Sequence, residues 1–367
     1  MHFHKRGGLE RAAVELSRHL ADRGHEITVY SSTVDGSDLG TMKHVCVPSL
    51  SSFGSAAHLS FRRSSATLLR HADADIIHAH GTEAGYRDIV TFQSCHRAGV
   101  ELRRRLGEKV KGFGISDPIR LRTEAATLKQ GAYKKIIAVS EGLKRELIQW
   151  YNVPEKDIVV IPNGVNLEEF SPPTKSERDK LRTNLGLQPN DIALIFLANE
   201  FDRKGLRFVI EALSIISESN VKLIVAGKDH PAPYLELANR FGVGKLVIFR
   251  GATGAPAGLL KAADIFLMPT FHESFLMAGI EAAACGLPLL ITRVPGVEDY
   301  LVDGENGYFI ERSADSIAEK IRLLLDPHRR AAMGSGANTT AQNYSWDAIA
   351  TATEQVYHEV VNRKGIV

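Results

Sequence analysis

The sequence has few of the features that mark secreted, disulfide-stabilised or membrane-spanning proteins. Its 367 residues include only three cysteines, Cys46, Cys95 and Cys285. They lack metal-ligand spacing and lie in or beside apolar segments, so we expect core packing. The longest apolar runs, such as IALIFLA, are too short to cross a bilayer. The opening MHFHKRGGLE lacks the apolar core of a signal peptide. These absences predict a protein of the reducing cytoplasm.

Charge of one sign, repeats and metal-binding patterns are also scarce. The formal net charge is +2, and the absence of an internal repeat excludes a repeat protein. No D-x-D motif is flanked by strands and no His/Cys cluster has metal spacing, so we expect neither a metal nor a cofactor. A hydrophobic content of 44% and a charged content of 24% are typical of a globular chain, and its length suffices for two domains.

What the sequence does have is an alternation of apolar strands and helices. HEITVYSS, ADIIHAHG, DIVTFQSC and KKIIAVS predict strands of a first half, and DIALIFLAN, VKLIVAGK, ADIFLMP and LPLLIT predict strands of a second. Between them, NLEEFSPPTKSERDK is polar, contains two prolines and indicates a linker near residues 168–176. The predicted fold class is α/β, with Rossmann-like parallel-sheet domains at residues 1–168 and 176–344.

The first half does not open as a Rossmann-like half normally does. An apolar strand should precede the glycines, but Gly7 and Gly8 follow only MHFHKR, which predicts a poor strand. Since the missing strand would lie centrally in its sheet, we expect the natural start to lie upstream by about 5 to 8 residues.

The most informative stretch runs from Phe271 to Leu290. It predicts a loop after the strand ADIFLMP, then an alanine-rich helix that ends at Gly-Leu-Pro. Glu273 lies before this helix and Glu281 inside it, with seven residues between them. Unpaired amides at a helix N-terminus suit phosphate or sugar hydroxyls, and the two carboxylates could accept hydrogen bonds from vicinal hydroxyls. The predicted donor amides are those of Ser274, Phe275, Leu276 and Met277.

Glu273 and Glu281, leading into AAACGLPLL, resemble the E-x7-E motif of family 4 of the retaining glycosyltransferases, which have the GT-B fold. The resemblance implies two Rossmann-like domains facing across a cleft, with a C-terminal helix, here residues 345–362, crossing back to the first domain. It also implies that Glu273 meets the donor sugar and Glu281 the nucleotide ribose. The second half is similar to the branch of this family that adds glucose from UDP-glucose to lipopolysaccharide core.

Other segments fit the same family. ANEFDRKGL places Arg203 and Lys204 where the family holds the two phosphates of the leaving nucleotide. Cations fixed there would stabilise the charge that builds on the diphosphate as the sugar–phosphate bond breaks. The remaining candidates for donor contacts are Gly7 and Gly8 in the first half and Ala252 and Thr253 in FRGATG.

On the acceptor side the sequence leaves two candidates. DIVTFQSCH ends a strand where many family members present a histidine to the sugar, and either Gln93 or His96 could occupy that position. We take His96 as the catalytic candidate. His78 and His80 in HAHG are expected to point to opposite faces of their strand, so that at most one faces the site.

The segment from residue 97 to 135 is strongly basic, with eleven Lys/Arg against four acidic residues. By itself the pattern leaves open a solvated helical face, nucleic acid, an anionic membrane surface or a phosphorylated acceptor. The family resemblance favours the membrane, and we expect no nucleic-acid partner. The basic residues are Arg97, Arg103, Arg104, Arg105, Lys109, Lys111, Arg120, Arg122, Lys129, Lys134 and Lys135.

Together these features predict a retaining, metal-independent glycosyltransferase. It would move a hexose, glucose by resemblance, from a UDP-linked donor to a glycan or glycolipid such as lipopolysaccharide core, as a peripheral protein at the inner membrane face. Two alternatives are a non-catalytic sugar-nucleotide-binding protein and a GT-B-like sugar-nucleotide epimerase. The presence of both glutamates with Arg203 and Lys204 argues against a chain that has lost catalysis.

Overall fold

The computed structural model of the protein describes residues 2–5, 7–50, 54–105 and 116–363. The chain divides into two compact units, Met1–Gly164 with Trp346–Val367 and Val165–Ser345. The division therefore falls at Gly164 and Val165 rather than near residue 168. Residues 168–176, which the sequence predicted as a linker, belong to the second unit.

The strands, in chain order, are β1 His2–Phe3, β2 Thr28–Ser31, β3 Thr33–Val34, β4 Lys43–Cys46, β5 His78–His80, β6 Ile89–Phe92, β7 Lys135–Ala138, β8 Ile158–Val160, β9 Ile192–Leu197, β10 Val221–Ala226, β11 Val247–Gly251, β12 Ile265–Met268, β13 Leu289–Thr292 and β14 Gly307–Ile310.

The α-helices are α1 Gly8–Asp22, α2 Gly36–Leu39, α3 Gly54–Arg70, α4 His96–Arg105, α5 Ser116–Thr127, α6 Glu141–Tyr151, α7 Lys175–Asn184, α8 Phe201–Lys204, α9 Leu206–Ile216, α10 Ala232–Arg240, α11 Pro256–Ala262, α12 Met277–Ala284, α13 Ala314–Leu323, α14 Pro327–Gln342 and α15 Trp346–Arg363. Short 3-10 turns lie at Glu155–Asp157 and Gly244–Leu246.

The second unit is built on one six-stranded sheet in the order β11-β10-β9-β12-β13-β14. Every pairing in it is parallel. Strands β12 and β13 are buried along their whole length, as expected for apolar runs covered by helices on both faces. This is the Rossmann strand order. Strands β10 and β11 are added on one side of β9 and the last three strands on its other side, so the order reverses between β9 and β12.

The first unit holds a four-stranded parallel sheet, β5-β6-β7-β8, and two parallel pairs, β1-β3 and β2-β4. The opening segment does contribute a strand, where the sequence favoured none. His2 and Phe3 pair with Thr33 and Val34, and Phe3 is buried beside Val14. With only two residues, β1 carries too little apolar pattern to be recognised from sequence.

The last helix, α15, belongs to the first unit, as the family resemblance implied. The ring of Trp346 lies so close to Gly164 that a β-carbon there would approach it to 2.5 Å. Arg23 near the end of α1 contacts Asp347 and Glu354 on α15 at 2.6 and 2.9 Å. The hydroxyl of Tyr357 lies 2.7 Å from His78 Nδ1.

Candidate active site

Three charged side chains of the second unit meet at the point where its strand order reverses. Arg203 and Lys204 lie on α8, which follows β9, and Glu273 lies in the loop after β12. Since β9 and β12 are parallel neighbours, their carboxyl ends open at the same edge of the sheet. Rossmann-like sheets bind ligands at this switch point.

The three groups form one ion cluster. The ammonium of Lys204 donates a short hydrogen bond to Glu273 Oε1. Arg203 Nη1 lies 3.3 Å from the same oxygen and 2.9 Å from the backbone oxygen of His272. The Lys204 and Glu273 side chains are each 11% exposed, whereas Arg203 is 36% exposed and also contacts Glu200 at 2.7 Å.

The cluster fixes the charge of Glu273. Burial acts to raise the pKa of Glu273, but Lys204 and Arg203 outweigh it and hold this pKa below the ordinary value. Burial lowers the pKa of Lys204 despite the neighbouring carboxylate. The pair is an ammonium and a carboxylate, because each charge lies against an opposite one. The site therefore holds two cations of the kind that stabilise a diphosphate.

Glycine makes this close approach feasible. Gly205, directly after Lys204, has φ of 80°, and a β-carbon there would come within 2.4 Å of the backbone oxygen of Pro269. The amide of Phe271 also donates to the backbone oxygen of Arg203 at 3.2 Å. The sequence Arg-Lys-Gly thus brings the two cations against the loop that carries Glu273.

The motif helix begins later than the sequence predicted. Helix α12 starts at Met277 with Leu276 at its N-cap, so Ser274 and Phe275 lie in the preceding loop and their amides are not helix-terminal donors. The side chains of Ser274, Phe275 and Leu276 are buried. Phe275 packs on Tyr300 with ring centroids 5.9 Å apart, and this contact anchors the loop. Leu276 offers no side-chain cap, so the first-turn amides keep the donor character of a helix start.

The other predicted donor residues are spread over both units. Glu281 is a buried residue inside α12. Ala252 and Thr253 follow β11, the strand at one edge of the six-stranded sheet, and both are exposed. Gly7 and Gly8 lie in the first unit at the N-cap and first residue of α1. Contacts of these residues with a donor stay predictions.

The two acceptor-side candidates occupy different settings. Gln93 follows β6 and exchanges two amide hydrogen bonds with Asn163, at 2.7 and 2.8 Å. Gln93 and Asn163 also line a cavity of about 20 Å³, room for a single water, inside the first unit. His96 begins α4, where its backbone amide donates to Glu124 at 2.7 Å. The side-chain amide of Gln93 is thus hydrogen-bonded to Asn163 within the first unit. His96 stays the candidate for catalysis.

The expectation that His78 and His80 point to opposite faces of their strand is wrong. Side chains alternate along a strand with a period of two, so residues two apart share a face. The two rings indeed stack, with centroids 4.6 Å apart. Burial lowers the pKa of His80 to about 4. Both residues are half-buried in the first unit, where His78 contacts Thr91 and Tyr357 at 2.7 Å each.

The basic segment proves heterogeneous. Lys135 is buried and donates to the backbone oxygen of Lys156, and Lys134 pairs with Asp88 at 3.3 Å. Arg97 lies over the ring of Trp150. Lys109 and Lys111 lie outside the described residues. Within the described residues of the segment 97–135, the exposed cations are Arg97, Arg104, Arg105, Arg120, Arg122, Lys129 and Lys134.

Sequence reasoning missed Thr270 and Thr292. The hydroxyl of Thr270 donates to Glu273 Oε1 at 2.7 Å, and the hydroxyl of Thr292 donates to the backbone oxygen of Thr270 at 2.6 Å. Both residues are buried. The available signal was the hydroxyl residue that directly follows ADIFLMP, three positions before Glu273.

The described ranges contain neither a cluster of metal ligands nor a membrane-spanning helix. Within residues 2–5, 7–50, 54–105 and 116–363, no three His, Cys, Asp or Glu side chains lie close enough to hold a metal ion. No helix in those ranges is both long enough and apolar enough to span a bilayer. The expectation of no metal requirement stays a prediction.

Sequence relatives cover both halves of the chain. Residues 177–340 match the family described as glycosyl transferases group 1, and residues 6–169 match glycosyltransferase family 4. D-inositol 3-phosphate glycosyltransferase 2 of Catenulispora acidiphila is 30% identical, with 96% of this chain and 90% of the relative aligned. Lipopolysaccharide glucosyltransferase WaaG of Escherichia coli is 26% identical, with 87% and 86% aligned.

Other relatives align over a shorter part. An uncharacterised glycosyltransferase of Methanocaldococcus jannaschii is 31% identical, with 63% of this chain and 61% of that protein aligned. A D-inositol 3-phosphate glycosyltransferase of Streptomyces bingchenggensis is also 31% identical, with 54% of its length aligned. The chain thus spans less than two thirds of these two relatives.

Solved structures share the fold. The crystal structure of WaaG, a glycosyltransferase involved in lipopolysaccharide biosynthesis, has a TM-score of 0.82 at 23% identity over 97% of both chains. Anabaena Alr3699/HepE in complex with UDP-glucose has a TM-score of 0.72 at 18% identity, also over 97% of both chains. The predicted GT-B fold is confirmed, and the chain belongs to the family 4 glycosyltransferases.

Proposed function

We propose that this chain is a retaining hexosyltransferase that takes glucose from UDP-glucose and adds it to a glycan or glycolipid such as lipopolysaccharide core. The observation that carries the proposal is the meeting of Arg203, Lys204 and Glu273 at the switch point of the six-stranded sheet. The choice of glucose and lipopolysaccharide follows the name of WaaG, and the choice of UDP-glucose follows the HepE complex.

In this proposal the bond between the sugar C1 and the diphosphate oxygen breaks as a bond from C1 to the acceptor oxygen forms on the same face. The acceptor proton passes to an oxygen of the leaving diphosphate, so no protein base is required. Arg203 and Lys204 stabilise the charge that develops there. Glu273 accepts from sugar hydroxyls and Glu281 from the ribose, while His96 acts on the acceptor side.

The donor is identified first. UDP-, GDP- and ADP-glucose are compared by thermal shift, since a ligand at 100 times its dissociation constant stabilises a protein by about 2.7 kcal/mol. Transfer is then followed by proton NMR with lipopolysaccharide core that lacks its glucose. We expect nucleoside diphosphate and an α-linked product in equal amounts. Release of nucleoside diphosphate without an acceptor would contradict transfer. A changed sugar configuration in the nucleotide sugar would favour the epimerase.

We also propose that the exposed cations of α4 and α5 dock the first unit on anionic lipid. Arg104 and Arg105 are exposed at the end of α4, and Arg120 and Arg122 are exposed on α5. Each could contribute about 1 kcal/mol near an anionic surface. The protein would then act as a peripheral protein at the inner face of the cell membrane.

Vesicle flotation tests this docking. The wild type should float with anionic vesicles at low salt and dissociate as the Debye length falls from about 10 Å at 0.1 M to about 3 Å at 1 M. Arg104→Glu/Arg105→Glu should lose binding, whereas Arg240→Glu/Lys245→Glu, which changes exposed cations of the second unit, should retain it. Equal flotation with neutral vesicles, or none with anionic ones, would contradict the proposal.

A further inference from the structure

We infer that Thr270 is a positioning residue that fixes which oxygen of Glu273 faces the donor sugar. The inference rests on the proposed function, because it assigns a role in sugar recognition at the same site. Three donors, from Lys204, Arg203 and Thr270, converge on Glu273 Oε1. None of these three bonds uses Oε2. That oxygen is left to accept from a sugar hydroxyl.

Thr270 is the member of this trio that the sheet itself holds in place. It lies two residues after the last residue of β12 and is 1% exposed. Its backbone oxygen accepts from Thr292, the last residue of the neighbouring strand β13, at 2.6 Å. Lysine and arginine reach Oε1 on long side chains, whereas a buried threonine has few rotamers to choose from. The Thr270 hydroxyl therefore holds the Glu273 carboxylate in a position that is set by strands β12 and β13.

The cations and the hydroxyl have separable tasks. Arg203 and Lys204 can turn toward a diphosphate when a donor binds, because both are cations that anions attract. Thr270 carries no charge and its hydroxyl would stay on Oε1 during that movement. Glu273 would then keep its orientation toward the sugar while its cations serve the phosphates. A defect at Thr270 should consequently affect recognition of the sugar rather than of the nucleotide.

Thr270→Val is the direct test, because valine keeps the branched shape and removes only the donor. Thr270→Ser restores the hydroxyl, and Thr183→Val removes an exposed hydroxyl of the same unit on α7 as a matched control. Affinities are measured by calorimetry for the nucleotide glucose that binds the wild type, among the UDP, GDP and ADP forms, and for its nucleoside diphosphate. Turnover is followed by release of that diphosphate.

We expect Thr270→Val to bind the nucleoside diphosphate within about twofold of the wild type. Its turnover, and the gain in affinity that the sugar provides, should fall about tenfold or more, as loss of a hydrogen bond to a charged group implies. Thr270→Ser should recover most of this loss and Thr183→Val should show none.

Several results would overturn the inference. These are a Thr270→Val variant with wild-type turnover, a serine variant as impaired as the valine variant, and a parallel loss of diphosphate and nucleotide-sugar affinity. If the wild type binds none of the three nucleotide sugars, the proposed function itself fails. If the wild type binds one of them but Thr270→Val shows no loss that Thr270→Ser recovers, only the role of Thr270 fails.

Discussion

Lys204→Met removes one charge from the ion cluster and should separate stability from catalysis. Methionine keeps much of the length and apolar stem of lysine but leaves Glu273, which is 11% exposed, without its closest cation. Breaking a buried ion pair by removing one partner costs about 3 to 5 kcal/mol. Because Arg203 and Thr270 still contact Glu273 Oε1, we expect the low end, about 3 kcal/mol.

The effect on turnover has a different origin. Removing one stabiliser of developing charge commonly reduces turnover by about 100-fold or more. The double variant Lys204→Met/Glu273→Gln removes both members of the pair. It should therefore regain most of the free energy of unfolding but none of the turnover.

Urea unfolding and diphosphate release measure the two quantities on the same samples. Lys261→Met is the matched control, since Lys261 pairs with the half-exposed Glu177 at 3.1 Å in the same unit. It should cost about 1 kcal/mol or less and leave turnover unchanged. Near-normal turnover of Lys204→Met would refute the diphosphate assignment. Equal free energies of unfolding for Lys204→Met and the wild type would refute the description of Lys204 and Glu273 as a buried ion pair.

Three further predictions concern the same unit. Glu281→Ala should weaken diphosphate binding by about 1 to 3 kcal/mol through loss of a charged hydrogen bond, and unchanged affinity in calorimetry would remove Glu281 from the site. Gly205→Ala should lower the melting temperature more than Gly186→Ala, because both glycines have positive φ but only the first faces a backbone oxygen. A smaller decrease in melting temperature for Gly205→Ala than for Gly186→Ala would show that the loop at Pro269 moves to accept the β-carbon. The pKa of Glu273 is depressed, so the stability it contributes is present above its ordinary value of 4.5 and is lost as the pH falls below that. The difference in unfolding free energy between the wild type and Glu273→Gln should therefore shrink from pH 7 to pH 3; a constant difference would contradict the pKa direction.

The meeting of Arg203, Lys204 and Glu273 follows from the order of strands and charged residues along the chain. Arg203 and Lys204 follow one predicted strand and Glu273 follows another. In a Rossmann-like sheet the carboxyl ends of such strands meet at one edge. No distance is needed to predict that meeting, which is why the order of strands and charged residues along the chain is informative by itself.

Details that depend on packing were not predictable in the same way. The late start of α12 follows from Phe275, which packs against Tyr300 and Tyr344, residues distant in sequence. The hydroxyl bond from Thr270 depends on how the loop after β12 folds back on itself. The error at His78 and His80 was of another kind, since the alternation of side chains along a strand already excluded it.

The most direct test of the site is the binding of nucleotide sugar to a variant that lacks both cations. Calorimetry would compare the wild type, Arg203→Ala/Lys204→Ala and the control Arg240→Ala/Lys245→Ala, which removes two exposed cations of the same unit. We predict that one of UDP-, GDP- and ADP-glucose binds the wild type and the control equally and binds the first variant at least 100-fold more weakly, as loss of two charged hydrogen bonds of about 1.5 to 3 kcal/mol each implies. Equal binding to all three proteins, or binding of none of the nucleotide sugars, would contradict the assignment of this switch point as the donor site.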